Sequence, residues 1–201
     1  MPLEVTVADY GVGNLHSIRK ALEICGAHVS VVSDMERLLD AECLVFPGVG
    51  AFDSAMRRIQ PWKEEIRGML DSGTPALGIC IGAQIMFDSS EEGDGPGMGF
   101  MPGRVVRLAA RQIPHMGWDL VETGDPAMEG IRDRHFYYAH SYHGSPDDPS
   151  TAVGSTEYEG VRIPVLFRKS SFYGSQFHPE KSSSSGLAFL RNFISFAEGC
   201  L

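Results

Sequence analysis

The sequence predicts an α/β fold in one domain over residues 1–201: a central, mostly parallel sheet flanked by helices, with antiparallel strands added to it. Three observations predict it. Over the first 80 residues, short valine-rich or apolar runs alternate with segments whose apolar residues recur at helical spacing. That order builds a parallel sheet covered on both faces. From residue 104 onward the pattern changes to short aromatic and β-branched runs separated by turns. Finally, 201 residues with 43% hydrophobic and 21% charged content suit one buried core.

Leu3 to Asp9 alternates and reads as a strand, and Tyr10 to Asn14 as a turn. Leu15, Ile18, Ala21, Leu22 and Cys25 form a helical stripe that Gly26 closes. His28 to Val32 is a second strand, Met35 to Leu39 a short helical piece, and Cys43 to Phe46 a third strand, apolar enough to be central. Ala51 to Ile59 reads as helical, and Pro61 starts another helix running to about Leu70. A strand then runs into Cys80, followed by an apolar, helix-friendly run from Ala83 to Phe87. The glycine- and proline-rich stretch Glu91 to Gly103 is a loop. Arg104–Leu108, Phe136–Tyr142, Ala152–Thr156, Val165–Arg168 and Phe172–His178 are strands, with a turn at Ser145–Pro149. Ser182–Ser185 caps a last helix carrying Leu187, Leu190, Phe193 and Ile194.

Composition excludes several function classes. The net charge of −9 argues against nucleic acid as the main ligand. No apolar run is long enough to span a bilayer, and the N-terminus lacks a basic region, so a cytoplasmic location is expected. Cys25, Cys43, Cys80 and Cys200 show no C-x-x-C spacing. Gly11-Val12-Gly13 follows a strand, but His16 occupies the third glycine position of a dinucleotide fingerprint, which rules that motif out.

Chemistry concentrates at Gly78-Ile79-Cys80-Ile81-Gly82. This is the G-x-nucleophile-x-G elbow with cysteine for serine. A nucleophile on a sharp strand-to-helix turn has a strained backbone and no room for side chains two residues to either side. The helix beginning there aims free N–H groups at the sulfur, which suits a thiolate nucleophile. Such a cysteine needs a base and a group to orient that base. Of seven histidines, His16, His28, His115, His135 and His143 have structural readings; His140 and His143 are spaced i, i+3 but lack further metal-ligand partners. His178 ends a strand and is followed by Pro179-Glu180, so a carboxylate two residues on can fold back onto the imidazole. Pro47-Gly48-Val49-Gly50, at another strand end, frees backbone N–H groups for an oxyanion hole. Parallel sheets place their sites beyond the carboxyl ends of strands, where these three elements would meet.

With Pro47–Gly50, Gly78–Gln84 and Phe177–Glu180 in this order, the sequence resembles the class I glutamine amidotransferases. Asp9–Leu15, Pro47–Met56, His115–Trp118, His140–Tyr142 and His178–Ser182 extend the resemblance to those members that serve a cyclase of histidine biosynthesis, over essentially the whole chain. Ile81 and Ala83 stand where that group usually has Leu and Met. The resemblance implies a single domain of the class I glutamine amidotransferase fold. It implies that Cys80 attacks the amide of glutamine, His178 shuttles the proton and Glu180 orients it, releasing ammonia and then glutamate. It assigns the oxyanion hole to Val49 and Gly48 on one turn and Ile81 after Cys80, and glutamine binding to Gly50, Gln84, Glu92, Ser141 and Tyr142. It implies no metal or organic cofactor. It implies a heterodimer with a (β/α)8-barrel cyclase subunit, which takes the ammonia, and places Asn14, Met116, Trp118, Tyr138 and Lys181 toward that partner, Met116 and Trp118 on a loop. Two other readings remain: the glutaminase of another synthase, for pyridoxal phosphate or guanylate, and a non-catalytic regulatory module on the same fold.

Overall fold

The computed structural model describes residues 1–11 and 14–201, so the middle of the Tyr10–Asn14 turn lies outside the described residues. Among the described residues, the main sheet has seven strands in the order β10-β11-β12-β4-β3-β1-β2. These are β1 (Glu4–Ala8), β2 (His28–Val32), β3 (Cys43–Phe46), β4 (Ala76–Ile79), β10 (Ala152–Tyr158), β11 (Val161–Lys169) and β12 (Phe172–Ser175). Strands β2, β1, β3, β4 and β12 run parallel, and β11 and β10 are antiparallel at one edge.

The apolar run of β3 explains its central place. All four residues are buried. Cys43 and Val45 join the core cluster containing Ile18 and Leu22 of α1 (Leu15–Ile24) and Phe189 and Phe193 of α5 (Ser183–Glu198). Leu44 and Phe46 join the other cluster, with Phe52 and Ile59 of α2 (Phe52–Ile59) and Ile66 and Leu70 of α3 (Lys63–Ser72). A strand buried on both faces has no polar side to spare. The helices therefore lie in two layers, as the alternation of elements requires.

Several expectations need correction. The helix after Cys80, α4, spans only Ile81–Gln84; Phe87 opens a strand, β5 (Phe87–Ser90), because its ring packs edge-on against Phe167 at 5.5 Å. The Glu91–Gly103 loop ends early, since β6 (Met101–Arg107) begins inside it. Phe136–Tyr142 is two strands, β8 (His135–His140) and β9 (Tyr142–Pro146), the second running into the Ser145–Pro149 turn. They part at Ser141, whose carbonyl accepts from Leu108 N–H while β9 turns to pair with β6. Strands β5, β6 and β9 form a second sheet, and β7 (His115–Leu120) with β8 a separate antiparallel ribbon, so these strands are not additions to the main sheet. Strand β12 ends at Ser175 and is parallel to β4, inserted between it and β11.

The Ser182 hydroxyl does not cap α5. It donates to the His178 carbonyl at 2.6 Å and accepts from Tyr137 N–H at 2.9 Å. That serine ties the turn after His178 to the β7–β8 ribbon. None of the helices among the described residues is long and apolar enough to cross a membrane.

Candidate active site

Cys80 stands between β4 and α4 with φ +51°, ψ −108°. This is a costly conformation for a residue with a Cβ, and such strain gathers at functional sites. Its N–H donates to Ser175 O at 2.7 Å, which locks the elbow to the end of β12. The flanking glycines are required by space. A Cβ on Gly82 would lie 1.8 Å from Phe46 O, and one on Gly78 2.5 Å from Gly82 O. Gly48 is held as tightly: its Cβ would fall 2.1 Å from Ile79 O and 2.6 Å from Ile81 N. The Pro47–Gly50 turn and the elbow therefore pack backbone to backbone. The first N–H groups of a helix have no partner inside it, so those of Ile81 and Gly82 are available beside the sulfur.

The parallel pairing Ser175↔Ile79 sets the chain after β12 alongside Cys80. Gln176 Nε2 donates to the Cys80 sulfur at 3.5 Å. His178 is fully buried, and its Nδ1 hydrogen-bonds Glu180 Oε1 at 2.9 Å. The Glu180 carboxylate is itself nearly buried, so its hold on the ring is little screened. The other ring nitrogen, Nε2, is buried without a hydrogen-bond partner among the described residues. Burial pulls the His178 pKa down. The nearby Cys80 sulfur, and then Glu180, outweigh burial and raise it to about 10. His178 Nε2 makes no hydrogen bond to the sulfur in this structure. Catalytic contacts commonly close only when substrate is bound.

In Glu180→Gln the charge that supports the imidazolium is lost. Its removal lowers the His178 pKa, since Glu180 acts upward in the native protein. Ring signals followed by NMR should titrate at lower pH, and kcat for glutamine should fall about 10²- to 10³-fold.

A cleft of about 240 Å³ opens in front of the sulfur. Cys80, Val49, Gly50, Ile81, Gln84, Glu92, Ser141 and Tyr142 all line it. Gly48 is buried just behind, against the elbow. The fold therefore brings together the nucleophile, the oxyanion candidates and all five glutamine-binding candidates, drawn from four separate stretches of chain. Larger surface hollows, such as one of about 500 Å³ beside Glu122 and Gly154, contain no cysteine. Gln84 Nε2 donates to Tyr142 O at 2.8 Å and to Gln176 Oε1 at 3.0 Å, which leaves Gln84 Oε1 without a partner among the described residues. This buried, unpartnered carbonyl oxygen belongs to a residue that lines the cleft, and it is the kind of acceptor an ammonium group needs. Glu92 Oε2 accepts from Phe52 N–H at 3.0 Å, so it also fixes the start of α2.

Two residues escaped the sequence reading. Gln176 lies two positions before His178, in the bend that follows β12, and its closeness to that histidine was the available signal. The buried Tyr10 hydroxyl donates to the Pro47 carbonyl and so holds the base of the oxyanion turn; an isolated strand-end tyrosine gives no such sign.

The partner-facing candidates divide. Met116 (63% exposed) and Trp118 (48%) alternate along β7 with Leu120 (44%), so they present an apolar stripe on a strand, not a loop. Asn14 is exposed and its side chain caps α1 by accepting from Ser17 N–H. Lys181 Nζ lies 5.7 Å from the Tyr137 ring centroid. Tyr138 does not belong with them. The two-residue period of β8 turns Phe136, Tyr138 and His140 inward and Tyr137 outward. Tyr138 is fully buried, stacked on His115 at 4.6 Å, and Tyr137 takes the surface position beside Trp118.

Comparison with known proteins decides the family. A model of "Glutamine amidotransferase class-I" matches residues 6–196. The chain belongs to the class-I glutamine amidotransferase family. Within it, the chain is 42% identical over 203 residues to the imidazole glycerol phosphate synthase subunit HisH of Halobacterium salinarum, covering 96% of this chain and 93% of that one. It is 44% identical over 193 residues to the HisH subunit of Thermus thermophilus, covering 94% and 95%. A solved structure titled glutamine amidotransferase matches at TM-score 0.76 with 21% identity, over 96% of this chain and 98% of that one, which bears on the fold alone. Membership in this family bears out the α/β class I amidotransferase fold read from the sequence.

Proposed function

We propose that this chain, as one class I glutamine amidotransferase domain over residues 1–201, is the glutaminase subunit of an imidazole glycerol phosphate synthase, acting in the cytoplasm on histidine biosynthesis. The observation that carries the reading is the shared cleft: a strained cysteine, free helix-start N–H groups and an unpartnered Gln84 oxygen line one hollow, with a His–Glu pair buried beside it. Glutamine enters with its ammonium toward Gln84 Oε1. The Cys80 sulfur attacks the side-chain carbonyl carbon, and the N–H groups of Val49 and Ile81 stabilise the oxyanion. His178, held by Glu180, protonates the departing nitrogen, so ammonia leaves and a glutamyl thioester stays on Cys80. His178 then takes a proton from water, whose oxygen attacks the thioester; the C–S bond breaks, the Cys80 sulfur leaves as thiolate beside the protonated His178, and glutamate is released.

The partner is a (β/α)8-barrel cyclase that receives the ammonia. The Met116–Trp118–Leu120 stripe, with Tyr137, Lys181 and Asn14, supplies the apolar and aromatic surface such a contact uses. The names of the HisH relatives favour this reading over a glutaminase for pyridoxal phosphate or guanylate. The intact Cys80, His178 and Glu180 favour it over a non-catalytic module. The oxyanion turn is pinned by Tyr10 and by contact with the elbow, so hydrolysis by the chain alone is expected to be slow. Mixing the chain with a barrel cyclase and its nucleotide substrate should raise glutamate formation at least tenfold. High turnover by the chain alone, unaffected by the cyclase, would contradict the gating. Activation by a guanylate or pyridoxal phosphate synthase instead would reassign the partner.

A further inference from the structure

His115 and His140 join a chain of hydrogen bonds that reaches from the β7–β8 ribbon to the cleft. Asp119 Oδ2 lies 2.7 Å from His115 Nε2. His115 Nδ1 lies 3.1 Å from His140 Nε2. His140 Nδ1 lies 2.9 Å from the Tyr142 carbonyl, which also receives Gln84 Nε2. Both rings are buried, and His115 is sandwiched between Tyr138 at 4.6 Å and Tyr158 at 4.0 Å.

The end of this chain fixes its direction. A carbonyl only accepts, so His140 Nδ1 carries the hydrogen. Burial, with His115, His143 and His178 nearby, drives the His140 pKa to about 3, against a smaller lift from the Tyr142 carbonyl. The ring is therefore neutral and its Nε2 accepts. His115 Nδ1 must then donate. The contact between His115 Nε2 and the Asp119 carboxylate would set two acceptors 2.7 Å apart unless it also holds a proton. Burial, the larger effect, holds the His115 pKa below its usual value, with Asp119 pulling the other way; the proton on this ring follows from the order of donors along the chain.

Taking the cleft as a glutamine site, as proposed above, we infer that Asp119 is a positioning residue for glutamine: through His115 and His140 it fixes the protonation of both rings and holds the Tyr142 carbonyl against Gln84 Nε2, so that Gln84 Oε1 is left free for the substrate ammonium. None of the three touches the reacting atoms. Asp119 sits on the half-exposed side of β7, opposite the apolar stripe.

The inference is tested with the full chain carrying 15N-labelled histidine and with steady-state kinetics in the complex. In the native protein His140 should be the Nδ1–H tautomer, and both His115 nitrogens should carry or share a proton. Asp119→Ala should raise KM for glutamine about tenfold and leave kcat within about twofold, because the ammonium subsite and not the nucleophile is disturbed. Asp119→Asn should restore KM: its carboxamide N–H can donate to a neutral His115 Nε2 and keep the hydrogen on Nδ1. An Nε2–H tautomer at His140 would overturn the inference. So would unchanged KM in Asp119→Ala, or an Asn variant as impaired as the Ala variant. The NMR reading needs no turnover. A native protein that fails to hydrolyse glutamine would therefore defeat the proposed function, while the tautomers still decide this point.

Discussion

Cys80→Ala is expected to abolish glutamine hydrolysis, with kcat down about 10⁴-fold or more, and to leave the folded state intact. The elbow is held by backbone contacts that alanine keeps: the Cys80 N–H bond to Ser175 O and the close approach of Gly48 and Gly82 to β3 and β4. The sulfur itself contributes one weak hydrogen bond, from Gln176. Thermal unfolding should therefore move by less than the equivalent of about 1 kcal/mol while glutamate formation, measured with the cyclase present, disappears. Cys80→Ser should fail almost as completely, because a hydroxyl is far less readily deprotonated than a thiol. Turnover retained in either variant would move the nucleophile elsewhere.

Gly82→Ala has the largest expected effect on the fold. The added methyl would sit 1.8 Å from Phe46 O and 3.0 Å from Phe46 Cβ, in the backbone of a strand buried on both faces. Neither β3 nor the elbow can move without breaking the pairing of β3 with β4. A loss of about 3 kcal/mol or more is expected, read as denaturant midpoint and m-value, together with loss of activity. Gly68→Ala is the matched control. Gly68 lies inside α3 with nothing within 4 Å of the new methyl, so the same substitution should stabilise by about 0.5–1 kcal/mol. A Gly82 variant as stable as the control would mean that the elbow is not wedged against β3.

The first half of the chain was readable because its signals are local. The strands β1, β2 and β3 and helix α1 follow from alternation or helical spacing within each segment, and the structure places them within a residue or two. The second half was less readable because its boundaries are tertiary. Ser141 breaks one apparent strand into two only because Leu108 takes its carbonyl, and nothing near Ser141 in sequence signals that. The helix after Cys80 is cut short by the packing of Phe87 on Phe167, eighty positions away.

The site shows the same division. Cys80, Gly48 and His178–Glu180 carry short-range signatures, a glycine-flanked elbow and a proline-fixed turn, and the fold gathers them. Tyr138 was misplaced because a surface role and a core role look alike in Phe136-Tyr137-Tyr138-Ala139-His140 until the register of β8 on β7 settles which side faces in. Gln176 and the His115–His140 pair act through contacts across strands. The first needs Ser175 beside Ile79, and the second needs His115 opposite His140.

The most direct test is acid quenching of the chain during turnover on glutamine with the cyclase present, followed by intact-mass and peptide mapping. The account predicts one glutamyl group per chain, on the peptide containing Cys80, accumulating further when the thioester hydrolyses slowly in Glu180→Gln. A glutamyl group on Cys25, Cys43 or Cys200, or turnover with no covalent adduct under conditions that preserve thioesters, would contradict it.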